Sequence, residues 1–370
     1  MNRYNWQQPN WPDFTYSLDA LEEKLLIFTE KAGLLSGIVK SLPDDAHLET
    51  ILHLMLEEAI NTSEIEGEFF SREEVLSSIQ RNLGITPGAT EKGDKNAMGV
   101  GKLMTMVRES YHEPLTGQTL FDWHRTLLPD SDWINVGAYR TNESPMQVVS
   151  GAIGKQTIHF EAPPSHLVPQ EMKTYITWFN SSRVQGASGI KLAPVRSAIA
   201  HLYFESIHPF EDGNGRIGRA IAEKALSQGL GRPVLLSLSD AIQTRKKAYY
   251  TQLEYAQRTT EITDWITWFT DLVLEAQHRA EIQIDFTLGK VRFFDRFEGI
   301  LNERQLKVIR RMFEFGPDGF EGGMNARKYI AIAKTSKATA TRDLQNLLDI
   351  GAFVHYGTAG GRSTRYQVDL

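Results

Sequence analysis

Residues 208–219 read His-Pro-Phe-Glu-Asp-Gly-Asn-Gly-Arg-Ile-Gly-Arg, placing a proton acceptor, a carboxylate, a glycine turn and two guanidiniums in one short run. Histidine is the only residue type in this run that titrates near neutral pH, so His208 is the natural base for an attacking hydroxyl. Gly213, Asn214 and Gly215 can adopt φ values that aim successive backbone N–H groups into one concavity. The stretch from Arg216 to Glu223 then reads as a helix, and a helix start is a good seat for phosphate. Asp212, directly before the turn, is a hard oxygen ligand able to hold Mg²⁺ against two phosphates of a nucleotide. Arg216 and Arg219 lie three apart on one helical face and offer forked donors to phosphate oxygens. Pro209 fixes the backbone after the base, and Phe210 is expected to bury itself as an anchor. Such a set would work by positioning and charge stabilisation, as other transfers at phosphorus do. Taken singly, Gly-Asn-Gly is an ordinary turn and a histidine before proline an ordinary loop residue. The joint spacing decides, because nine specified positions at about 6% each coincide roughly once in 10^11 trials.

The run resembles the motif of the Fic family, enzymes that move the AMP part of ATP onto a protein hydroxyl. The resemblance implies a mainly α-helical core, His208 as base, Asp212 as Mg²⁺ ligand, Gly213, Asn214 and Gly215 as phosphate cradle, and Arg216 and Arg219 on the outer phosphates. Arg216 stands where phosphorylating members of the family carry lysine, which favours AMP transfer. Tyr249 and Tyr250 match the place where the family packs the adenine, although a core aromatic stripe explains them nearly as well. Upstream, Thr62-Ser63-Glu64-Ile65-Glu66-Gly67 is similar to the Ser/Thr, three residues, Glu, Gly/Asn pattern of self-inhibited members. It implies that Glu66 pairs with Arg219 and leaves ATP only an unproductive pose. The bland alternative is a solvated helix end among Glu57, Glu58, Glu64, Glu66 and Glu68.

The surrounding elements must position these groups. Leu48, Ile51, Leu52, Met55, Leu56 and Ile60 recur at helical spacing and lead to the Glu66 motif. Ser71-Arg72-Glu73-Glu74 looks like a capping box opening the next helix, and residues 84–97 read as an exposed loop. Val195, Ile199, Leu202 and Tyr203 predict a helix before the motif, with His201 in it as a structural residue. Ile221, Ala225 and Leu226 predict another after it, which puts His208 on the joint between them. Between Gly137 and Pro164, Met146-Gln147-Val148-Val149 and Thr157-Ile158-His159-Phe160, separated by Gly151 and Gly154, predict a β-hairpin. In the family a hairpin here, the flap, receives the target segment by strand addition, which assigns target docking to Val148 and Val149. His159 is expected to be surface decoration. The opening aromatics Trp6, Trp11 and Phe14 resemble the amino-terminal segment of a subgroup of the family and are expected to pack on the core.

The 370 residues are 41% apolar and 23% charged, the balance of a globular chain of two or three domains. Three regions are expected: an amino-terminal helical domain over 1–110, a catalytic core over 111–285 and a winged helix-turn-helix over 286–370. There is no cysteine, so disulfides and thiolate metal sites are excluded. No export signal and no run of about eighteen apolar residues is evident, so a cytoplasmic protein without a membrane anchor is expected. The net charge of −6 argues against a protein that coats nucleic acid along its length. From residue 301 onward, however, eleven basic residues face seven acidic ones. There Leu306, Ile309 and Met312 to Phe315 suggest a first helix and 326–333 a second. Ser336 to Leu348 suggests a third, with Leu344, Leu347 and Leu348 inward. A hairpin of 353–356 and 365–368 with a tip of Gly357 to Gly361 follows. Lys337, Thr339, Thr341 and Arg342 on the third helix and Arg362 on the wing suit DNA phosphates and base edges, while dimerisation or target docking is the plainer use of such a module. The leading expectation is an AMP transferase restrained by Glu66, acting on Ser, Thr or Tyr hydroxyls of another protein or of itself. A DNA-binding regulator with a sensing core, and removal of AMP from a modified protein, stay open beside it, as does release of Glu66 by a partner or within a homodimer.

Overall fold

A computed structural model describes residues 3–19, 21–86, 93–129, 131, 133–150, 157–357 and 364–370. Gly151, Gly154, Gly361 and Arg362 lie outside the described residues, as do Pro87 and Gly88. The described chain is mainly α-helical. In order it forms α1 (Glu22–Ser41), α2 (Asp44–Ile65), α3 (Arg72–Asn82), α4 (Lys95–Glu109) and α5 (Gly117–Leu127). The strands β1 (Gln147–Ser150) and β2 (Thr157–Glu161) follow, then α6 (Val168–Ser181), α7 (Ala193–Ile207) and α8 (Asn214–Leu230). After these come α9 (Leu238–Thr244), α10 (Lys246–Ala256), α11 (Thr263–Arg296), α12 (Glu303–Phe313), α13 (Ala326–Ala333), α14 (Lys337–Asp349), β3 (Phe353–His355) and β4 (Tyr366–Val368). Among the described residues no helix is long and apolar enough to cross a membrane.

Residues 1–34 and 51–278 make one compact unit and residues 35–50 and 279–370 a second. The first unit is organised around α7, all of whose residues are buried. A helix buried on every face must satisfy its polar side chains internally. Arg196 does so by donating to Ser182 Oγ, Gln228 Oε1 and the carbonyls of Phe179 and Ala225. Ser197 Oγ donates to the Ala222 carbonyl 2.8 Å away, binding α7 to α8. Gly229 allows the close approach of the two helices, since a Cβ there would come within 2.5 Å of Ala193 Cβ.

Two local expectations are corrected. Ser71 is the N-cap of α3, but its side chain makes no capping bond. Glu74, which a capping box would turn back to Ser71, faces the other way and accepts from the Asp94 backbone N–H. The loop over 84–97 ends at Asp94, whose carboxylate accepts from Asn96 N and Ala97 N and starts α4.

The second unit has a core of Phe293, Phe297, Ile309, Met312, Leu344 and Phe353 among others. A capping box formed by Asn302 and Gln305 starts α12. Arg304 grips the buried Asp343 carboxylate with two bonds of 2.9 and 3.1 Å, and the Tyr329 hydroxyl donates to the same group. The hairpin pairs Phe353 with Val368 and His355 with Tyr366, and Met324 bridges to Tyr366 as a further short edge. The strands are each a residue shorter than the periodicity suggests.

Candidate active site

The joint between α7 and α8 carries the motif. His208 caps α7 in the left-handed conformation, φ 51° and ψ 62°, which a β-carbon disfavours by about 1–2 kcal/mol. Arg140, 3% exposed, holds this backbone in place. Its Nε donates to the His208 carbonyl at 2.8 Å, its Nη2 donates to the carbonyls of Pro163 and Ile207, and its own N–H donates to the Pro209 carbonyl. Phe210 is fully buried, as expected, and stacks on the His124 ring at 4.3 Å. His124 Nδ1 accepts from the Gly137 N–H, so its Nε2 carries the proton it offers to the Asp212 carbonyl at 3.2 Å. Burial holds the His124 pKa below the ordinary histidine value, which keeps this neutral tautomer in place.

The segment expected to cradle phosphate is the helix start itself. Only Gly213 takes a left-handed φ, 77°, and the chain is helical from Asn214, two residues earlier than the sequence suggests. The Asn214 side chain explains the early start: it bonds both the N–H and the carbonyl of Phe210, closing the loop onto the helix. The first N–H groups of α8 have no intrahelical partner by geometry and, with the helix dipole, favour an anion. Asp212 accepts from the Gly213 N–H at 2.6 Å and lies 3.6 Å from Arg216, with its side chain 39% exposed.

Both motif arginines are already occupied. Arg219, 1% exposed, donates to Thr62 Oγ1, to the Thr62 carbonyl and to Glu66 Oε1, all within 2.8 Å. Burial works against its charge, yet Glu66 holds its pKa above the ordinary arginine value. Arg216, 2% exposed, donates to Glu68 Oε2 at 2.5 Å. Burial pushes the Glu68 carboxyl up, Arg216 opposing. The turn after α2 aims both carboxylates at one helix start. Glu68 N–H bonds the Ser63 carbonyl and Gly67 N–H the Glu64 carbonyl, with Gly67 at φ 85°, the two bonds and left-handed glycine of a Schellman ending. This accounts for glycine, or the similarly tolerant asparagine, directly after the motif glutamate. The Glu66 carboxylate also lies against Gly215, where any β-carbon would collide with it.

Behind His208, the Glu205 carboxylate is 5% exposed and lies 3.5 Å from His208 Nδ1. Burial alone would raise its pKa; His208, together with His201 and Arg219, holds it below the usual carboxylate range. His201 is buried, stacks on Trp265 and shares a 2.8 Å hydrogen bond with the Tyr249 hydroxyl, the structural place expected for it. Tyr249 is thereby sealed in the core at 1% exposure, whereas Tyr250 is 38% exposed and offers a face.

The hairpin pairs Val148 with Phe160 and Val149 with Ile158, with an irregularity between the two valines that leaves Val149 exposed. Phe160 packs edge-on against Tyr4, and Trp6 Nε1 donates to the Glu161 carbonyl, so the opening segment braces the hairpin base. Trp11 and Phe14 pack edge-on against Tyr203 of α7, as expected of core-packed aromatics. His159 is more than decoration: its Nδ1 lies 2.8 Å from Glu254 on α10 and ties the hairpin there. Reading from the sequence missed Arg140, His124, Glu205 and the partner of Glu68. The sole signal for Glu205 was a glutamate inside an apolar helix three residues before His208.

Residues 114–226 match the model of the Fic/DOC family, and residues 4–85 match a domain of unknown function, DUF4172. Protein adenylyltransferase fic-1 of Caenorhabditis elegans is 25% identical over 201 residues, covering 53% of this chain and 35% of that protein. The chain thus spans about a third of that relative's length. Among solved structures, a Fic family protein from Desulfovibrio desulfuricans G20 is similar with a TM-score of 0.54 at 18% identity, over 97% of this chain and 98% of that one. A Fic domain containing signaling protein from Bacteroides thetaiotaomicron VPI-5482 gives a TM-score of 0.54 at 20% identity, over 72% of this chain and 97% of that one. At these identities the structural likeness bears on the fold.

Proposed function

We propose that this chain, which carries a Fic domain at residues 114–226, moves AMP from ATP onto a protein hydroxyl and is held down by its own Glu66. In this reading His208 takes the proton of the target hydroxyl as its oxygen attacks the α-phosphorus. The oxygen–phosphorus bond forms, the bond to the leaving pyrophosphate breaks, and AMP stays on the target. The start of α8 and the forks of Arg216 and Arg219 receive the triphosphate. Asp212 suits Mg²⁺, because its carboxylate is partly exposed beside the cradle, and Mg²⁺ commonly takes one or two protein carboxylates with substrate phosphates supplying the rest. Bound there, the ion would neutralise phosphate charge. Tyr250 offers the adenine a face, and the exposed edge at Val149 suits strand addition by the target segment.

The observation that carries the inhibitory half is the Glu66 carboxylate, 2.7 Å from Arg219 and pressed against Gly215 at the helix start. A carboxylate there occupies the seat that the outermost phosphate needs. Three helices followed by a hairpin, with Lys337, Thr341 and Arg342 exposed on α14, support a winged helix-turn-helix for the carboxy-terminal module, suited to DNA.

Purified Glu66→Gly protein incubated with Mg²⁺ and ATP, beside the same variant carrying His208→Ala, tests the reading by mass spectrometry. One AMP mass is gained on the protein or an added lysate substrate only where His208 is present. Equal modification with and without His208 would refute it. Loss of AMP from a pre-modified substrate, with no forward transfer, would turn the assignment to the reverse reaction.

A further inference from the structure

We propose that Glu205 is the positioning carboxylate of His208, fixing the proton on Nδ1 so that Nε2 faces the reaction as the base. The inference rests on the AMP-transfer reading and deepens it. Glu205 and His208 stand three residues apart at the end of α7, so their side chains emerge on one side of the helix. The Glu205 carboxylate is almost wholly buried, and its Oε1 has no hydrogen-bond donor. His208 Nδ1 likewise has no partner within hydrogen-bond geometry, and it lies 3.5 Å from Glu205 Oε2. A buried carboxylate short of donors is costly, and its Oε2 is the acceptor that faces the partnerless His208 Nδ1, so the pair calls for one shared proton. Catalytic contacts are often long before substrate binds and tighten in the reacting complex.

The other charged and titratable groups facing this carboxylate are each anchored elsewhere through part of their donor set, although His201 Nδ1 and Arg219 Nη1 have no hydrogen-bond partner. His201 of α7 is bonded to Tyr249 of α10, and Arg219 of α8 is held by Thr62 and Glu66 at the end of α2. Gly218 of α8 makes the room, because a β-carbon there would run into the Glu205 carboxylate. A glycine between Arg216 and Arg219 is thus explained by the base's support rather than by the phosphate seat. The carboxylate's role is twofold. It orients the ring and selects its tautomer, and it stabilises the imidazolium that forms when Nε2 takes the hydroxyl proton, the division of labour seen when a buried carboxylate backs a histidine base.

The test has a spectroscopic and a kinetic arm. In the unsubstituted protein labelled with ¹⁵N-histidine, and assigned against His208→Ala, the His208 shifts should show a protonated Nδ1 and an unprotonated Nε2. An Nε2–H tautomer overturns the proposal without any reference to activity. In the Glu66→Gly background, Glu205→Gln should lower kcat for AMP transfer by at least about tenfold while the KM for ATP stays within about twofold. Glu205→Leu, which removes the acceptor as well as the charge, should fall further. Unchanged kcat in Glu205→Gln overturns the proposal while leaving AMP transfer standing. Absence of AMP transfer in the Glu66→Gly parent refutes the AMP-transfer reading, and the tautomer measurement then decides the Glu205–His208 pairing alone.

Discussion

Releasing the two arginines one at a time should have a calculable effect. Glu66→Gly removes one of three acceptors of Arg219, the charged one, and leaves both bonds to Thr62. A hydrogen bond to a charged group contributes about 1.5–3 kcal/mol. If that energy sets the balance between the occupied seat and the seat open to the outermost phosphate, its loss raises the AMP-transfer rate roughly 10- to 150-fold, at about 1.4 kcal/mol per decade. Glu68→Ala acts on Arg216 through a carboxylate that is a third exposed, so its effect belongs at the lower end of that range. The two carboxylates leave the same turn and meet arginines one helical turn apart. A double-mutant cycle should therefore show coupling between them, not simple multiplication. Initial rates with labelled ATP measure all four proteins. The thermal midpoint gives an independent readout: ATP and Mg²⁺ should raise it more in Glu66→Gly than in the parent, because the triphosphate replaces the lost carboxylate. A Glu66→Gly rate within twofold of the parent's, together with an equal ATP-induced shift in midpoint, would refute the reasoning.

Two further perturbations test the support of the site. Arg140→Leu strips the donors from three carbonyls around His208. It should lower the unfolding free energy by at least ~2 kcal/mol in urea titration and reduce kcat in the Glu66→Gly background, whereas unchanged values would show that the left-handed base needs no brace. Glu223 on α8 has its carboxyl pushed up to about 8 by burial, with Glu58 adding to the rise and Arg108 opposing it. A carboxyl raised above its unfolded value contributes stability at low pH that is lost as pH rises through the folded value. Glu223→Gln should accordingly raise the thermal midpoint near pH 8.5 and leave it nearly unchanged near pH 4, below the unfolded value, and an equal effect at both would contradict the assignment.

The run at 208–219 was legible as a cluster because its groups are contiguous, so the roles proposed for His208, Asp212 and the two arginines could be drawn from type and spacing before any fold is known. Glu66 was legible through a short pattern whose physical content, a left-handed turn at Gly67, emerges only with the hydrogen bonds around Ser63. The helices about the motif followed from apolar periodicity, as did the three carboxy-terminal helices and their hairpin. What escaped depends on contacts between distant segments. Arg140 reaches a carbonyl 68 residues away, and Glu68 meets an arginine 148 residues downstream. Neither distance leaves a local trace. Ser71 and Glu74 carried the right letters for a capping box, but the Asp94 backbone competed for the glutamate and won.

The acceptors that hold Arg219 lie 153 and 157 residues upstream of it. A ribosome adding roughly 5–20 residues per second delivers the Thr62–Glu66 segment some 8–30 s before that arginine. A helix of the length of α2 forms within microseconds once released, so it is in place when α8 emerges. At no stage of synthesis, then, does the chain possess Arg216 and Arg219 without the Glu68 and Glu66 carboxylates that pair with them. If these pairs restrain AMP transfer as proposed, a growing polypeptide has no interval in which it can modify its neighbours on the ribosome, and the active form arises by an event after the chain is made.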